Sequence, residues 1–155
     1  MRHNFLLDEN ILYFAIRGVD RHDNPDETAA RLIETIVKVC HSLVIHNDVL
    51  VRYSKILDKL KHQGSPFAEP TAFFNQLLKR ADKRTFQYDD LPALPEGCRV
   101  PRKDVYLVRA ALISRPLLVT GDEPLYDALK NQPKCGIEVL WPHEALERAK
   151  EKPED

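Results

Sequence analysis

The amino-acid sequence predicts an α/β domain built on a central, mainly parallel sheet of four to five strands. Two observations lead to this fold class. Short apolar runs such as Leu117-Leu118-Val119 are continuous rather than alternating, as expected of strands that are covered on both faces. Between these runs lie longer segments whose apolar residues repeat with the 3.6-residue period of a helix. Strands that alternate with helices form parallel β-α units, so the alternation itself indicates the fold class.

The first half of the chain contains two strands and three helices. Residues 5–7 form an apolar run, and residues 10–17 have the apolar spacing of a short helix. The segment 24–27 reads Asn-Pro-Asp-Glu, an Asn cap followed by Pro and acids, and it predicts the start of an amphipathic helix that extends to about residue 40. The apolar run 42–45 predicts the second strand, and Asn47 is expected to cap a helix that ends near residue 61.

The second half continues the alternation after a Gly-Ser-Pro break. Its predicted elements are a helix over 70–81, a short strand over 85–88, a proline-rich loop over 89–101, a helix over 104–113 and a strand over 117–120, followed by a turn at 121–124 that opens a helix, a strand over 137–140 and a helix over 142–150. We therefore expect a single domain over residues 1–150 and a disordered tail over residues 151–155.

Composition narrows the class of protein. The formal net charge of the 155 residues is −1, which argues against a strongly basic nucleic-acid coat. Asp8 interrupts the first apolar run, and no stretch approaches the roughly 20 apolar residues that span a bilayer, so a soluble, cytoplasmic protein without membrane contact is expected. The 3 cysteines are odd in number and lack the spacing of a metal site, which favours reduced thiols.

Three aspartates are expected at the carboxyl edge of the sheet. Asp8 and Asp122 follow predicted strands, and Asp104 opens the helix that runs back toward the start of the strand at 117–120. In open α/β sheets this edge binds ligands near the point where the strand order reverses. Each aspartate has an alternative role as a helix N-cap. Asp48 also follows a strand, but a surface pair with Arg52, four residues later, explains it better.

Carboxylates that meet at one edge repel each other, and a divalent cation relieves this repulsion. Ligand sets made only of oxygen suit Mg²⁺ or Mn²⁺. Such an ion can activate water and stabilise the leaving oxygen during phosphodiester hydrolysis. The acidic edge therefore predicts a metal-dependent hydrolase.

The sequence resembles the PIN domain, a nuclease fold, in three ordered motifs. These are Leu-Leu-Asp-Glu-Asn over 6–10, Lys-Asp-Val-Tyr-Leu-Val-Arg-Ala-Ala over 103–111 and Leu-Val-Thr-Gly-Asp over 118–122. The resemblance implies a three-layer α/β/α sandwich that cleaves RNA with Mg²⁺ or Mn²⁺. It also implies that the chain can form a homodimer and that it resembles toxins of toxin–antitoxin pairs, whose partner is a cognate antitoxin protein.

The resemblance also implies roles for individual residues. Asp8, Asp104 and Asp122 match the first, third and fourth acids of the family and would be both catalytic residues and metal ligands. Thr120 matches the hydroxyl residue before the last acid, and Asn10 the polar residue after the first. Both would position water or a ligand.

The second family acid, normally a glutamate, is replaced by Arg52 in this chain. Either Asp48 supplies the missing carboxylate as a metal ligand, or the site keeps three acids and Arg52 neutralises part of their charge and weakens metal binding. Arg52, Arg102 and Lys103 are also candidate substrate-binding residues, although a solvated loop explains Arg102 and Lys103 equally well. The departure supports a second hypothesis, a catalytically lapsed PIN-like module that binds RNA or a protein partner. A haloacid dehalogenase-like phosphatase is less favoured, because it requires an aspartate where this chain has Asn10.

Overall fold

The computed structural model describes residues 3–39, 41–62, 68–87 and 89–151 of the chain. Its strands and α-helices alternate along most of the sequence. In chain order they are β1 (Asn4–Leu7), α1 (Glu9–Arg17), α2 (Thr28–Lys38), β2 (Ser42–His46), α3 (Asn47–His62), α4 (Ala68–Lys79), β3 (Arg84–Gln87), α5 (Val105–Ser114), β4 (Leu117–Val119), α6 (Glu123–Lys130), β5 (Val139–Leu140) and α7 (Pro142–Lys150). The predicted elements are all present, with ends that differ by a few residues.

The five strands form one sheet in the order β3-β2-β1-β4-β5, and every neighbouring pair is parallel. The chain builds outward from β1 through β2 to β3, and then returns to the other side of β1 to add β4 and β5. The strand order therefore reverses between β1 and β4. This pair is in register from Phe5 opposite Leu117 to Leu7 opposite Val119, so both strands end at the same level. The α/β fold with a parallel sheet is confirmed.

The core explains why the strand sequences are continuously apolar. Phe5, Leu6 and Leu7 of β1 are fully buried, and so are Leu118 and Val119 of β4. Helix α2 packs against α1 and α7, while α1 contacts β1 and α7 contacts β4. Burying one such side chain stabilises the fold by about 1.5–3 kcal/mol, so each strand of the central pair is strongly anchored.

Helix α2 begins at Thr28, three residues later than Asn24-Pro25 predicts. Pro25 instead forms an isolated antiparallel bridge with Val19. Asp26 then terminates this loop, because its Oδ1 accepts hydrogen bonds from the backbone N–H of Thr28 at 2.8 Å and from the Thr28 hydroxyl at 2.6 Å. Asn24-Pro25 resembles a helix start in sequence, but in the structure it belongs to the loop that precedes α2.

The prediction of reduced cysteines is wrong for two of the three. Cys98 and Cys135 form a disulfide, with their Cα atoms 5.3 Å apart and a sequence separation of 37. The bond joins the loop before α5 to a 3₁₀ turn, Pro133–Cys135, after α6. Spacing in the sequence does not reveal this pairing, because the two cysteines meet only when α5, β4 and α6 fold between them.

Two expectations fall on residues that the structure does not describe. Cys40 lies outside the described residues, and so do residues 152–155 of the predicted disordered tail. Within the described ranges, none of the helices combines the length and apolar character that a bilayer crossing requires.

Candidate active site

Asp8, Thr120 and Asp122 are joined by hydrogen bonds at the point where the strand order reverses. The Thr120 hydroxyl donates to Asp8 Oδ2 at 2.8 Å, and its oxygen accepts the backbone N–H of Asp122 at 3.0 Å. Backbone contact adds to this, since the Asp8 N–H donates to the Val119 carbonyl at 2.9 Å. One buried hydroxyl therefore orients both the first carboxylate and the turn that carries the last one.

The three aspartates occupy helix N-cap positions, but none of them serves as a cap through its side chain. Asp8 precedes α1, Asp104 precedes α5 and Asp122 precedes α6, and no side-chain capping hydrogen bond is present at any of the three. The alternative role that the sequence left open is therefore not used. Their carboxylates are directed to each other and to the groups around them, and we call Asp8, Asp104 and Asp122 the acidic site.

Asp104 is the least satisfied member of the acidic site. It is 6% exposed, and its Oδ2 is buried without a hydrogen-bond partner among the described residues. A 3₁₀ turn, Arg102–Asp104, brings it to the sheet edge, one residue before α5 begins. A buried acceptor without a partner costs on the order of 1–3 kcal/mol. Such a cost persists in proteins where a ligand or an ion supplies the missing partner.

Two members of the acidic site, Asp8 and Asp104, hold their protons more tightly than ordinary aspartates do. Burial raises the pKa of Asp8 to about 6, and the neighbouring charges of Glu9 and Asp122 add to this effect against the hydrogen bond from Thr120. Burial likewise raises the pKa of Asp104 to about 7, reinforced by the charges of Asp8 and Asp122 and by a hydrogen bond to the Asp122 carboxyl. The charge of Asp122 acts on both Asp8 and Asp104, and that of Asp8 acts on Asp104, so the three carboxylates lie close together.

The Lys103 ammonium partly neutralises the acidic site. Its Nζ lies 3.0 Å from Asp122 Oδ2, while the Lys103 side chain is 70% exposed and the Asp122 side chain 12% exposed. This contact, together with the charges of Asp104 and Asp8, raises the pKa of Lys103 above its ordinary value. Lys103 thus provides a positive charge at a carboxylate that was predicted to bind metal.

Replacing Lys103 by alanine is expected to increase the affinity of the protein for Mn²⁺ about two- to fivefold, because an exposed ion pair contributes up to about 1 kcal/mol. The measurement is calorimetric titration of Mn²⁺ into the metal-free protein. Lys150→Ala is the matched control, since it removes an exposed lysine paired with Glu147 at 3.3 Å, far along the sequence on α7. Weaker Mn²⁺ binding by Lys103→Ala would show that the ammonium does not compete with the ion.

Asp48 lies outside the acidic site, and its expected pair with Arg52 is not formed. The Asp48 side chain is 58% exposed and lies 4.0 Å from Nδ1 of His46. Arg52 instead pairs with Glu9 at 3.8 Å, and its guanidinium stacks 3.8 Å from the ring centroid of Tyr106. The preference for a surface pair was wrong because the ring of Tyr106, on α5, offers Arg52 a stacking surface that sequence distance does not reveal.

The remaining predicted residues line the edges of the acidic site. Asn10 accepts the backbone N–H of Gly121 through its Oδ1 at 3.3 Å, so it fixes the turn before Asp122. Arg102 is exposed in the same 3₁₀ turn as Lys103. The role of each as a catalytic, metal-binding or substrate-binding residue stays a prediction.

Two tyrosines support the site and were not singled out as functional residues. The buried Tyr53 hydroxyl donates to the Leu7 carbonyl, directly before Asp8. Burial raises the pKa of Tyr106 well above its ordinary value, with the charges of Asp8 and Glu9 contributing. In the sequence Tyr53 has the helical spacing of a core residue, so no signal distinguishes its positioning role from packing.

The donor chemistry of the acidic site fits a hard divalent cation, since it provides only carboxylate and hydroxyl oxygens and one of them is a buried acceptor without a partner. The arrangement of these side chains is less suited to an ion than their chemistry is. Among the residues that the structure describes, no three His, Cys, Asp or Glu side chains are arranged as a ready metal site. An ion would have to displace the Lys103 ammonium from Asp122 and draw the carboxylates together.

Comparison with known proteins supports the fold assignment. The structure is similar to that of a PilT N-terminus (PIN) domain protein from the hyperthermophilic archaeon Sulfolobus solfataricus P2, with a TM-score of 0.52 over 98% of each chain at 13% identity. Identity this low shows the fold alone, and the fold is PIN-like, as the sequence motifs predict. No protein-family profile matches the chain. No curated protein is significantly similar to it either.

Proposed function

We propose that this protein is a Mg²⁺- or Mn²⁺-dependent ribonuclease that hydrolyses RNA phosphodiesters at the acidic site. The observation that carries the proposal is the meeting of Asp8, Asp104 and Asp122 where the strand order reverses, with one Asp104 oxygen buried and unpartnered. The PIN-like fold adds support, because nuclease activity is typical of that fold. An antitoxin partner, a toxin role and a homodimer stay predictions from the sequence resemblance.

In this proposal Asp8, Asp104 and Asp122 hold the metal, which when bound would activate water and stabilise the charge of the leaving oxygen. The residues of the chain do the rest. Thr120 keeps the Asp8 carboxylate oriented through its 2.8 Å hydrogen bond, and Asn10 holds the turn at Gly121. Lys103, when displaced from Asp122, lies where it can neutralise a substrate phosphate.

Asp104→Asn tests the proposal. Cleavage of a single-stranded RNA in Mn²⁺ is expected to fall at least about 10²-fold, because the variant keeps the shape of the side chain but loses its charge. The control is Asp48→Asn, which removes a carboxylate that is 58% exposed and outside the acidic site. Equal activity of Asp104→Asn and the parent protein would exclude this mechanism.

A second candidate function is a PIN-like module that binds RNA or a protein without cutting. Arg52 favours it, because its guanidinium pairs with Glu9 at 3.8 Å and adds positive charge beside the acids that would hold the metal. Under this alternative, Arg52→Glu is expected to create Mn²⁺ binding or RNA cleavage that the parent protein lacks. Arg52→Gln is the control, since it removes the same charge without adding a carboxylate. Cleavage by the parent protein itself would rule the alternative out.

A further inference from the structure

A cavity of about 220 Å³ lies directly beside the acidic site. Its walls come from Phe14 of α1, from the loop between α1 and α2 and the first residues of α2, from Gly121 and from the residues that start α7. Gly121 follows β4 and directly precedes Asp122, and Trp141 follows β5. Because both strands are parallel, the cavity opens at the same carboxyl edge of the sheet as the acidic site.

Phe14 and Gly121 form the wall that the cavity shares with the acidic site. A Cβ atom added at Gly121 would lie 2.4 Å from Cε2 of Phe14, so the ring packs directly against the backbone of the turn. Only glycine permits this approach. A group that contacts Phe14 in this cavity therefore lies close to Gly121, the residue directly before Asp122.

Trp141 is held in place by contacts on several sides. Its ring stacks on Tyr126 with centroids 4.1 Å apart and an angle of 18° between the planes. Glu144 fixes both residues, because its Oε1 accepts the backbone N–H of Trp141 and the hydroxyl of Tyr126, each at 2.9 Å. The Arg21 guanidinium lies 4.5 Å from the Trp141 ring centroid. Tyr126 and Arg21 therefore cover opposite faces of the Trp141 ring, and a base can stack on the ring only by moving between Trp141 and Arg21.

The loop that forms the opposite wall is ordered by its own hydrogen bonds. Asp20 Oδ1 accepts the backbone N–H groups of His22 and Asn24 at 2.8 and 2.9 Å. These bonds lower the pKa of Asp20, so its carboxylate is committed to the loop. Arg21, His22 and His143 lie at the rim, where Arg21 Nε donates to His22 Nε2 at 3.2 Å.

We infer that this cavity, lined by Phe14, Arg21 and Trp141, binds one unpaired base of the RNA substrate. The inference rests on the proposed function, and it identifies how the substrate would be held next to the acidic site. A cavity of roughly 150 Å³ can hold benzene, and pockets for drug-sized ligands begin at about 300 Å³. The volume of about 220 Å³ therefore suits one base and excludes a base pair.

This arrangement selects single-stranded RNA. In an A-form duplex the faces of each base are stacked and its edges are paired, so no base can enter a cavity without being extruded. In a single strand, a base placed against Phe14 and Trp141 would bring the neighbouring phosphate toward Asp122. Asp122 directly follows Gly121, which forms part of the cavity wall. The Arg21 guanidinium, which now pairs with Glu123 at 3.7 Å, could then stack on the base.

The tryptophan fluorescence of the protein reports directly on this cavity, because Trp141 is the single tryptophan of the chain. The experiment titrates a single-stranded RNA oligonucleotide into the full chain in EDTA, so that no cleavage occurs, and follows both tryptophan fluorescence and the anisotropy of labelled RNA. Saturable quenching that coincides with RNA binding is the expected result. The same RNA as a duplex should not quench.

Arg21→Ala is expected to weaken single-strand binding about tenfold, the effect of losing one stacking partner of a base. Arg31→Ala is the matched control, since Arg31 is also exposed and paired with a glutamate, Glu27, at 3.1 Å, but does not line this cavity. His143→Ala, at the exposed start of α7, provides a second variant with an expected loss of affinity. Circular dichroism checks that each variant is folded.

Three results would overturn the inference: RNA that binds without quenching Trp141, RNA that does not bind, and equal weakening by Arg21→Ala and Arg31→Ala. The failure of this inference can be separated from the failure of the proposed function. RNA cleavage in Mn²⁺ without quenching in EDTA would leave the ribonuclease and remove the base site. If the quenching of Trp141 depends on Arg21 but the protein does not cleave RNA, the base site is kept and the proposed ribonuclease activity is excluded.

Discussion

Asp8→Asn is expected to abolish RNA cleavage and, at neutral pH, to make the metal-free protein more stable. The residue is 4% exposed, and its pKa is raised from 3.8 to about 6. The folded state therefore binds this proton more tightly than the unfolded state does. The stability that the protonated Asp8 carboxyl contributes is fully present below about pH 4 and is lost as the pH rises through about 6. The loss is about 3 kcal/mol for a shift of this size.

Asparagine removes this penalty because it is never ionised, and its amide oxygen can still accept the hydrogen bond from the Thr120 hydroxyl. We expect the free energy of unfolding of Asp8→Asn in EDTA to fall less between pH 4.5 and 7.5 than that of the parent protein. A residual fall is expected because burial also raises the pKa of Asp104, to about 7. Urea unfolding at the two pH values measures this difference. Cleavage of single-stranded RNA is expected to fall at least about 10²-fold.

Asp48→Asn is the control for both measurements, because its side chain is 58% exposed and it lies outside the acidic site. It should retain the activity of the parent protein and the same dependence of stability on pH. Retained cleavage by Asp8→Asn would remove Asp8 from the mechanism. An unchanged pH dependence of stability in Asp8→Asn would show that its carboxyl is not the destabilising group.

Removing the disulfide is expected to have the largest effect on stability. Cys98 and Cys135 are separated by 37 residues, and closing a loop of this length stabilises the folded state by about 4 kcal/mol in the chain-entropy account. The closed loop includes Asp104 and Asp122. Cys98→Ser should therefore lower the free energy of unfolding and loosen the placement of these two carboxylates relative to Asp8.

Urea unfolding with and without reductant measures the effect of this bond. The parent protein should lose about 4 kcal/mol when it is reduced, while Cys98→Ser should be unaffected by reductant. Cys135→Ser should match Cys98→Ser, because either substitution breaks the same bond. A parent protein whose unfolding is insensitive to reductant would contradict the prediction, and so would different stabilities for the two serine variants.

The sequence was sufficient for the fold class and for part of the site. Continuous apolar strands such as β1 and β4 have no solvent-facing side, so their composition alone indicates a sheet covered on both faces. Asp8 and Asp122 follow those strands directly, and parallel strands end at one edge. The sequence therefore predicts that both lie at one edge, and the pairing of β1 with β4 in the folded sheet brings them close together.

Other features depended on contacts between distant segments. Asn24-Pro25 has the composition of a helix start, yet the bridge between Val19 and Pro25 placed it in a loop. Arg52 had an acid one turn away at Asp48, yet it stacks on Tyr106, which is contributed by α5. An i,i+4 ion pair is worth only a few tenths of a kcal/mol, so the contact of Arg52 with Tyr106 outweighs it.

Apolar patterning and the alternation of strands with helices were enough to predict the parallel α/β architecture and the aspartates that follow its strands, because both patterns are written locally along the chain. The strand order, the disulfide between Cys98 and Cys135, the ammonium of Lys103 at Asp122 and the cavity beside Gly121 were visible only in the folded structure. Each of these brings together side chains from separate elements. Their distances are set by how the helices pack on the sheet, which no spacing along the chain records.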